Sequence, residues 1–152
     1  MYGNDRGDDL MGWFGYGIYD GDGTQTCHYD FLKKLGIEKD DDIIYEMLTL
    51  EGTVIPENKR NLLRKNYKKV FDKFSKYKFI PGRTGCIVED KAIEIQMFGA
   101  LFIDNKVKIP VQVKKKVIEA TEFLLGDHAS EFSNPGLRRR VLREFIETIK
   151  QS

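Results

Sequence analysis

Between residues 62 and 77 the apolar side chains Leu62, Leu63, Tyr67, Val70, Phe71, Phe74 and Tyr77 follow one another at steps of three and four. That spacing lays them along one stripe of an α-helix and would scatter them over both faces of a strand. A helix with such a stripe must be covered, and the rest of the chain offers partners of the same period. They are Cys27, Phe31, Leu32 and Leu35, then Ile43, Ile44, Met47 and Leu48, then Ile93, Met97, Phe98, Leu101 and Phe102. Val113, Val117, Ile118, Thr121, Leu124 and Leu125 make a further set, and Leu137, Val141, Leu142, Phe145 and Ile149 a last one. In a chain of 152 residues, 41% of them hydrophobic, these stripes suffice for one core. The expected fold is mainly α, a compact bundle of five or six helices forming a single helical domain over 11–152.

Local signals place the boundaries. Asp22 or Thr24 is suited to cap the first helix and Gly36 to stop it. Asp40, Asp41 and Asp42 mark the start of a second, closed by Gly52, because the N-terminal end of the helix dipole favours negative charge. Pro56 is read as the first residue of the long helix, where its missing N–H costs nothing. Residues 79–89, with Pro81, Gly82 and Gly85, form the one connector with the composition of a hinge. Asp90 is the expected cap of the next helix and Asp104-Asn105 its end, Val107-Lys108-Ile109-Pro110 leads into another stopped at Gly126, and Asn134-Pro135 opens the last. Arg138, Arg139, Arg140 and Arg143 are expected to face largely outward from it. A weak internal echo pairs Ile43, Ile44, Met47, Leu48, Ile55 and Pro56 with Met97, Phe98, Leu101, Phe102, Ile109 and Pro110 at a constant offset of 54, a possible degenerate helical-hairpin repeat.

The N-terminal region is different in kind. Residues 1–10 lack apolar period and read as a flexible arm. In Phe14-Gly15-Tyr16-Gly17-Ile18-Tyr19 glycines alternate with aromatics, so 12–19 makes at most a short irregular or extended piece with one bare face, suited to close backbone packing. Asp20-Gly21-Asp22-Gly23 is turn chemistry.

The net charge of +1 conceals a division, with a balance of −8 through Glu51 (12 acidic, 4 basic) and +9 beyond it (12 acidic, 21 basic). No apolar run has the roughly 20 residues a membrane span needs, the acidic start is unlike a signal peptide, and two cysteines are too few for a disulfide framework. The expectation is a cytoplasmic protein with reduced thiols and no membrane partner.

Asp20-Gly21-Asp22-Gly23-Thr24 resembles the Asp-x-Asp-Gly-Thr signature of haloacid-dehalogenase-type phosphatases. That resemblance implies Asp20 as nucleophile, Asp22 as acid and base, and Mg²⁺ to screen the phosphate. The family also needs an uninterrupted apolar strand before the motif, which Gly15 and Gly17 break here. As a calcium loop the same stretch has Gln25 where glycine is required and Phe31 where a bidentate Glu belongs. Cys27, His28, Cys86 and His128 show none of the paired spacings of zinc sites, so no cofactor or metal is expected. The basic residues of 57–78, among them Arg60, Arg64, Lys65, Lys68 and Lys69, are the alternative functional feature: a row of cations suits nucleic-acid phosphates, with Tyr67 or Tyr77 in reach to stack on bases.

Met11-Gly12, Phe14-Gly15-Tyr16-Gly17 and Asp20-x-Asp22 together resemble a family of small bacterial and phage proteins of unknown function that open with Met-Gly-x-Trp-Gly-x-Gly and an acidic turn, with Phe14 where the family has tryptophan. The resemblance covers residues 11–35 and implies a helical domain from a phage or bacterium, some relatives looking like immunity or accessory proteins. The leading expectation is a non-catalytic helical protein-interaction domain, an accessory or immunity-type inhibitor that contacts another protein through Tyr16, Tyr19, Asp20, Asp22, Asp40, Asp41 and Asp42.

Overall fold

The chain is described by a computed structural model over residues 24–49, 52–80, 85–126 and 134–152. The arm, the glycine–aromatic stretch and Asp22, one of the two expected caps, lie outside these residues, and the other, Thr24, is already the first residue of the first helix. Within them the protein is mainly helical, with one small two-stranded ribbon.

Helix α1 (Thr24–Lys34) buries Phe31, Leu32 and Leu35 and ends as expected at Gly36, whose φ of +73° is open to glycine at no steric cost. That conformation lets the Gly36 N–H donate to Lys33 O (3.1 Å) and the Ile37 N–H to Leu32 O (3.0 Å), the paired bonds of a left-handed helix stop, and drops Ile37 into the core beside Leu32. Helix α2 (Asp41–Met47) is capped by Asp40, whose Oδ1 accepts from the amides of Asp42 (2.9 Å) and Ile43 (3.4 Å). Two expectations fail here. Ile43 faces solvent, and Gly52 does not close α2, because the backbone turns extended at Leu48 (φ −85°, ψ 105°). Strands β1 (Leu48–Thr49) and β2 (Gly52–Thr53) pair antiparallel, Leu48 with Thr53 and Thr49 with Gly52.

Pro56 is also displaced from its expected role. Ile55 is fully buried, which keeps Pro56 extended (ψ 142°) ahead of a 3₁₀ turn, Glu57–Lys59. The single long helix expected from there is two, α3 (Arg60–Asn66) and α4 (Lys68–Ser75), divided at Tyr67. Tyr67 keeps helical angles (φ −54°, ψ −30°), but its carbonyl accepts from both Val70 (3.1 Å) and Phe71 (2.9 Å), a local tightening of the turn.

Helix α5 (Cys86–Asp104) starts before its expected cap Asp90, just after Gly85 with its φ of +139°. It is the central element. Ala92, Ile95, Met97, Phe98, Ala100, Leu101 and Phe102 are all buried, more than one face of the helix, and Phe98 has Phe31, Phe74 and Phe102 around it at centroid distances of 5.2, 5.9 and 5.4 Å. Gln96 is buried with them, and neither of its amide atoms has a hydrogen-bond partner among the described residues. Helix α6 (Val111–Leu124) packs along α5 and α7 (Pro135–Lys150) along α6. Asn134 caps α7 through a bond from the Leu137 amide (3.1 Å). Arg138 is buried, against the expectation that it faces outward, and the Arg139 Nε donates to Leu125 O (3.2 Å).

The close approach of α5 and α6 rests on Gly99, where an added Cβ would lie 2.7 Å from Val117 Cγ1. Gly99→Ala is expected to destabilise the protein by about 1–2 kcal/mol in urea unfolding, overpacking outweighing the roughly 1 kcal/mol by which alanine favours a helix over glycine. Trimming Val117 to alanine in the same chain should recover part of the loss.

The offset of 54 is visible in the backbone. Pro56 and Pro110 share angles (−54°, 142° and −58°, 146°), Ile55 and Ile109 are both buried, and Gly52 and Lys106 both have positive φ (+129° and +54°). The ribbon has no counterpart, since the residues matching β1, Phe102 and Ile103, finish α5 and those matching β2, Lys106 and Val107, follow it without forming a strand. Among the described residues no helix is long and apolar enough to cross a membrane.

Candidate functional site

Among the expected acidic contact residues, Asp40 is spent on the α2 amides, whereas Asp41 and Asp42 are exposed on the first turn. Asp41 is fixed from α1: Tyr29 Oη donates to its Oδ1 (2.5 Å), and the Lys33 ammonium lies 2.7 Å from the same oxygen and 4.8 Å from the centroid of the Tyr29 ring. Lys33, and after it Tyr29, hold the Asp41 carboxyl below the usual carboxylate range.

This cluster orients an aromatic pair. The Tyr29 and Tyr45 rings lie tilted at 31° with centroids 5.4 Å apart, and Tyr45, at 62% exposure, is among the most exposed large side chains described. They wall a concavity of about 420 Å³ with Thr26, Asp30 and Leu48. Across Asp30 and Thr26 on the α1 ridge lies a second cleft of about 340 Å³, floored by Phe31 and Ile93 and edged by Asp90 and Glu94 of α5 with Lys34 opposite. The two depressions flank one ridge and share Asp30, joined in the second by Asp90 and Glu94.

Cys27 lines the second cleft, and burial, then the charges of Glu94, Asp30 and Asp90, push its thiol up to about 11. That direction is opposite to what a nucleophilic cysteine requires. His28, its neighbour, is buried in the opposite direction. Its Nε2 lies 2.7 Å from Met97 O, a carbonyl that can only accept, so Nε2 carries the proton and Nδ1 accepts from the Thr53 hydroxyl (2.5 Å). Burial holds its pKa at about 4, and the ring is neutral at pH 7. Three further bonds reach the ribbon from the end of α5: Asp104 Oδ2 accepts from Thr53 N (3.0 Å), Asn105 Oδ1 accepts from Ile55 N (2.6 Å) and Asn105 Nδ2 donates to Thr53 O (2.9 Å). These polar groups tie α1, the ribbon and the end of α5 to one another.

The cations of the alternative reading gather on the outward side of α3 and α4. Arg60 donates from Nε to Ile55 O (3.1 Å) and Arg64 to Asn61 Oδ1 (2.7 Å), while Lys65, Lys68 and Lys69 are exposed. The tyrosines expected to stack on bases do not join them. Tyr67 packs on Phe71 and Phe102 and its hydroxyl accepts from Gln112 Nε2 (2.7 Å), and Tyr77 lies against Phe79.

Tyr16, Tyr19, Asp20 and Asp22 lie outside the described residues, as does His128. Tyr29, Asp30 and Tyr45 were not among the expected contact residues; the signal that marks both tyrosines is that they fall off the apolar stripes of their helices. Compared with protein-family models, curated proteins and solved structures, the chain has no match.

Proposed function

We propose that the protein is a non-catalytic interaction domain whose α1 ridge takes a basic segment of another protein. The observation that carries this reading is the exposed Tyr45 stacked on Tyr29 over a concavity bordered by Asp30, with Asp41 and Asp42 nearby. Aromatic anchors surrounded by charge are the groups from which interfaces draw most of their energy, and a Lys or Arg side chain suits both the rings and the carboxylates. The raised Cys27 thiol and the locked, neutral His28 support binding over chemistry. An accessory or immunity-type inhibitor from a phage or bacterium, working in the cytoplasm, is the setting that the resemblance of residues 11–35 adds.

Selection of displayed random 12-residue peptides on the intact chain tests this. Recovered peptides should be enriched in Lys or Arg beside an aliphatic or aromatic residue, and Tyr45→Ala should weaken their binding about 10- to 30-fold. Recovery of no binders, of acidic binders, or of binders indifferent to Tyr45→Ala and Asp30→Lys would refute the proposal.

A further inference from the structure

The second charged feature of the molecule is the opposite of the first, and three helices build it. Lys73 of α4 and Lys91 of α5 set their ammonium groups over the ring of the buried Phe74, 5.9 and 5.7 Å from its centroid. Lys34 of α1 lies near enough to act on Lys73 as a like charge. Burial first, then Lys34 and Lys91, push the Lys73 ammonium below the ordinary lysine value and Glu94 opposes them, while Asp30 and Asp90 share the adjoining cleft with Lys34. Glu94 is itself engaged with Lys91 at 3.5 Å. Like charges held together cost free energy that an anion placed among them would recover. From this cluster the exposed cations of α3 and α4 continue outward, with Asp72 the carboxylate among them.

We infer that Lys34, Lys73 and Lys91, continued by Lys65, Lys68 and Lys69, form a surface for the phosphate backbone of a nucleic acid, bound without reading its sequence. The two helices run about 24 Å end to end at 1.5 Å per residue, and phosphates of one strand follow at roughly 3.4 Å along a duplex axis, so several come within reach together. Affinity from phosphates alone follows from where the two tyrosines of these helices lie: Tyr67 and Tyr77 are packed into the fold, so among the described residues neither is presented to stack on an unpaired base. Duplex and single strand should therefore bind alike, through charge.

The test is fluorescence anisotropy of the intact chain with two 20-base-pair duplexes of unrelated sequence, a 20-nucleotide single strand and labelled heparin, between 50 and 200 mM salt. The inference expects both duplexes to bind within about twofold of each other and affinity to fall linearly on a log–log plot against salt. In K34Q/K73Q/K91Q the slope should lose about 2.7, near 0.9 per phosphate contact, and affinity at 50 mM should drop at least about tenfold. K39Q/K108Q/K115Q, three exposed lysines elsewhere, should bind as the parent does. K34R/K73R/K91R preserves charge and should retain binding, which separates loss of contact from loss of fold. The inference is overturned by no binding at 50 mM salt, by heparin binding without nucleic-acid binding, by a tenfold preference between the duplexes, by equal weakening in the two glutamine triples, or by loss of binding in the arginine triple.

Discussion

Asn105→Ala is expected to cost about 3–5 kcal/mol of unfolding free energy. Asn105 is buried and its amide serves three backbone groups, accepting from Ile55 N (2.6 Å) and donating to Thr53 O and Leu101 O (both 2.9 Å). Each buried group orphaned by the truncation loses about 1–3 kcal/mol, and relaxation around the shortened side chain keeps the total toward the lower half of that sum. In a chain of this length the midpoint should fall by roughly 8–15 °C, at about 2–4 °C per kcal/mol. Asn105→Asp provides the contrast. It keeps the acceptor for Ile55 and sets a carboxylate against two carbonyls, so it should be no better than alanine. A loss under about 1 kcal/mol for Asn105→Ala, by urea unfolding, would show that the tie contributes little.

The second large effect is one of pH. The folded-state pKa of His28 is about 4, below the 6.5 of an ordinary histidine, because burial disfavours the imidazolium. The unfolded chain therefore takes up this proton first, and stability falls as pH drops from above 6.5 toward 4. Between pH 7 and pH 5 the loss should be about 2 kcal/mol, and near 3 kcal/mol when the folded ring itself titrates. Glu38, held down first by Lys59, and Asp41, held down first by Lys33, act in the same direction but only below the ordinary carboxylate range, so the upper part of the window reports His28. His28→Gln should flatten the pH 7 to 5 limb. A limb unchanged by that substitution would place the acid sensitivity elsewhere.

What was legible in the chain is what depends on near neighbours. The stripe of α1 with its stop at Gly36, the Asp40 cap, and Asn134-Pro135 opening α7 all follow from residues within one or two turns of each other, where periodicity and backbone preference agree. The ribbon was not legible, because a two-residue strand has no period, and the groups that hold it, Asp104 and Asn105, stand some fifty residues away. Asp90 misled for a related reason. It is a favourable cap by local preference, yet α5 continues through it from Gly85, a glycine with no capping side chain. Gln96 breaks the usual expectation for a core position outright, since no local pattern buries an amide without a partner. Of the candidate site, Asp41 and Asp42 could be named because acidic first turns are recognisable. The tyrosine pair required knowing that α1 and α2 lie side by side.

A two-stranded ribbon on its own opens and closes freely in water, and its amide protons exchange with solvent at nearly the rate of an unstructured chain. Here the Thr53 and Ile55 amides are tied to side chains of the central helix and not only to a facing strand. Exchange at these two positions therefore waits on the release of the end of α5. Among the described residues the shortest strands thus open only together with the end of the longest helix.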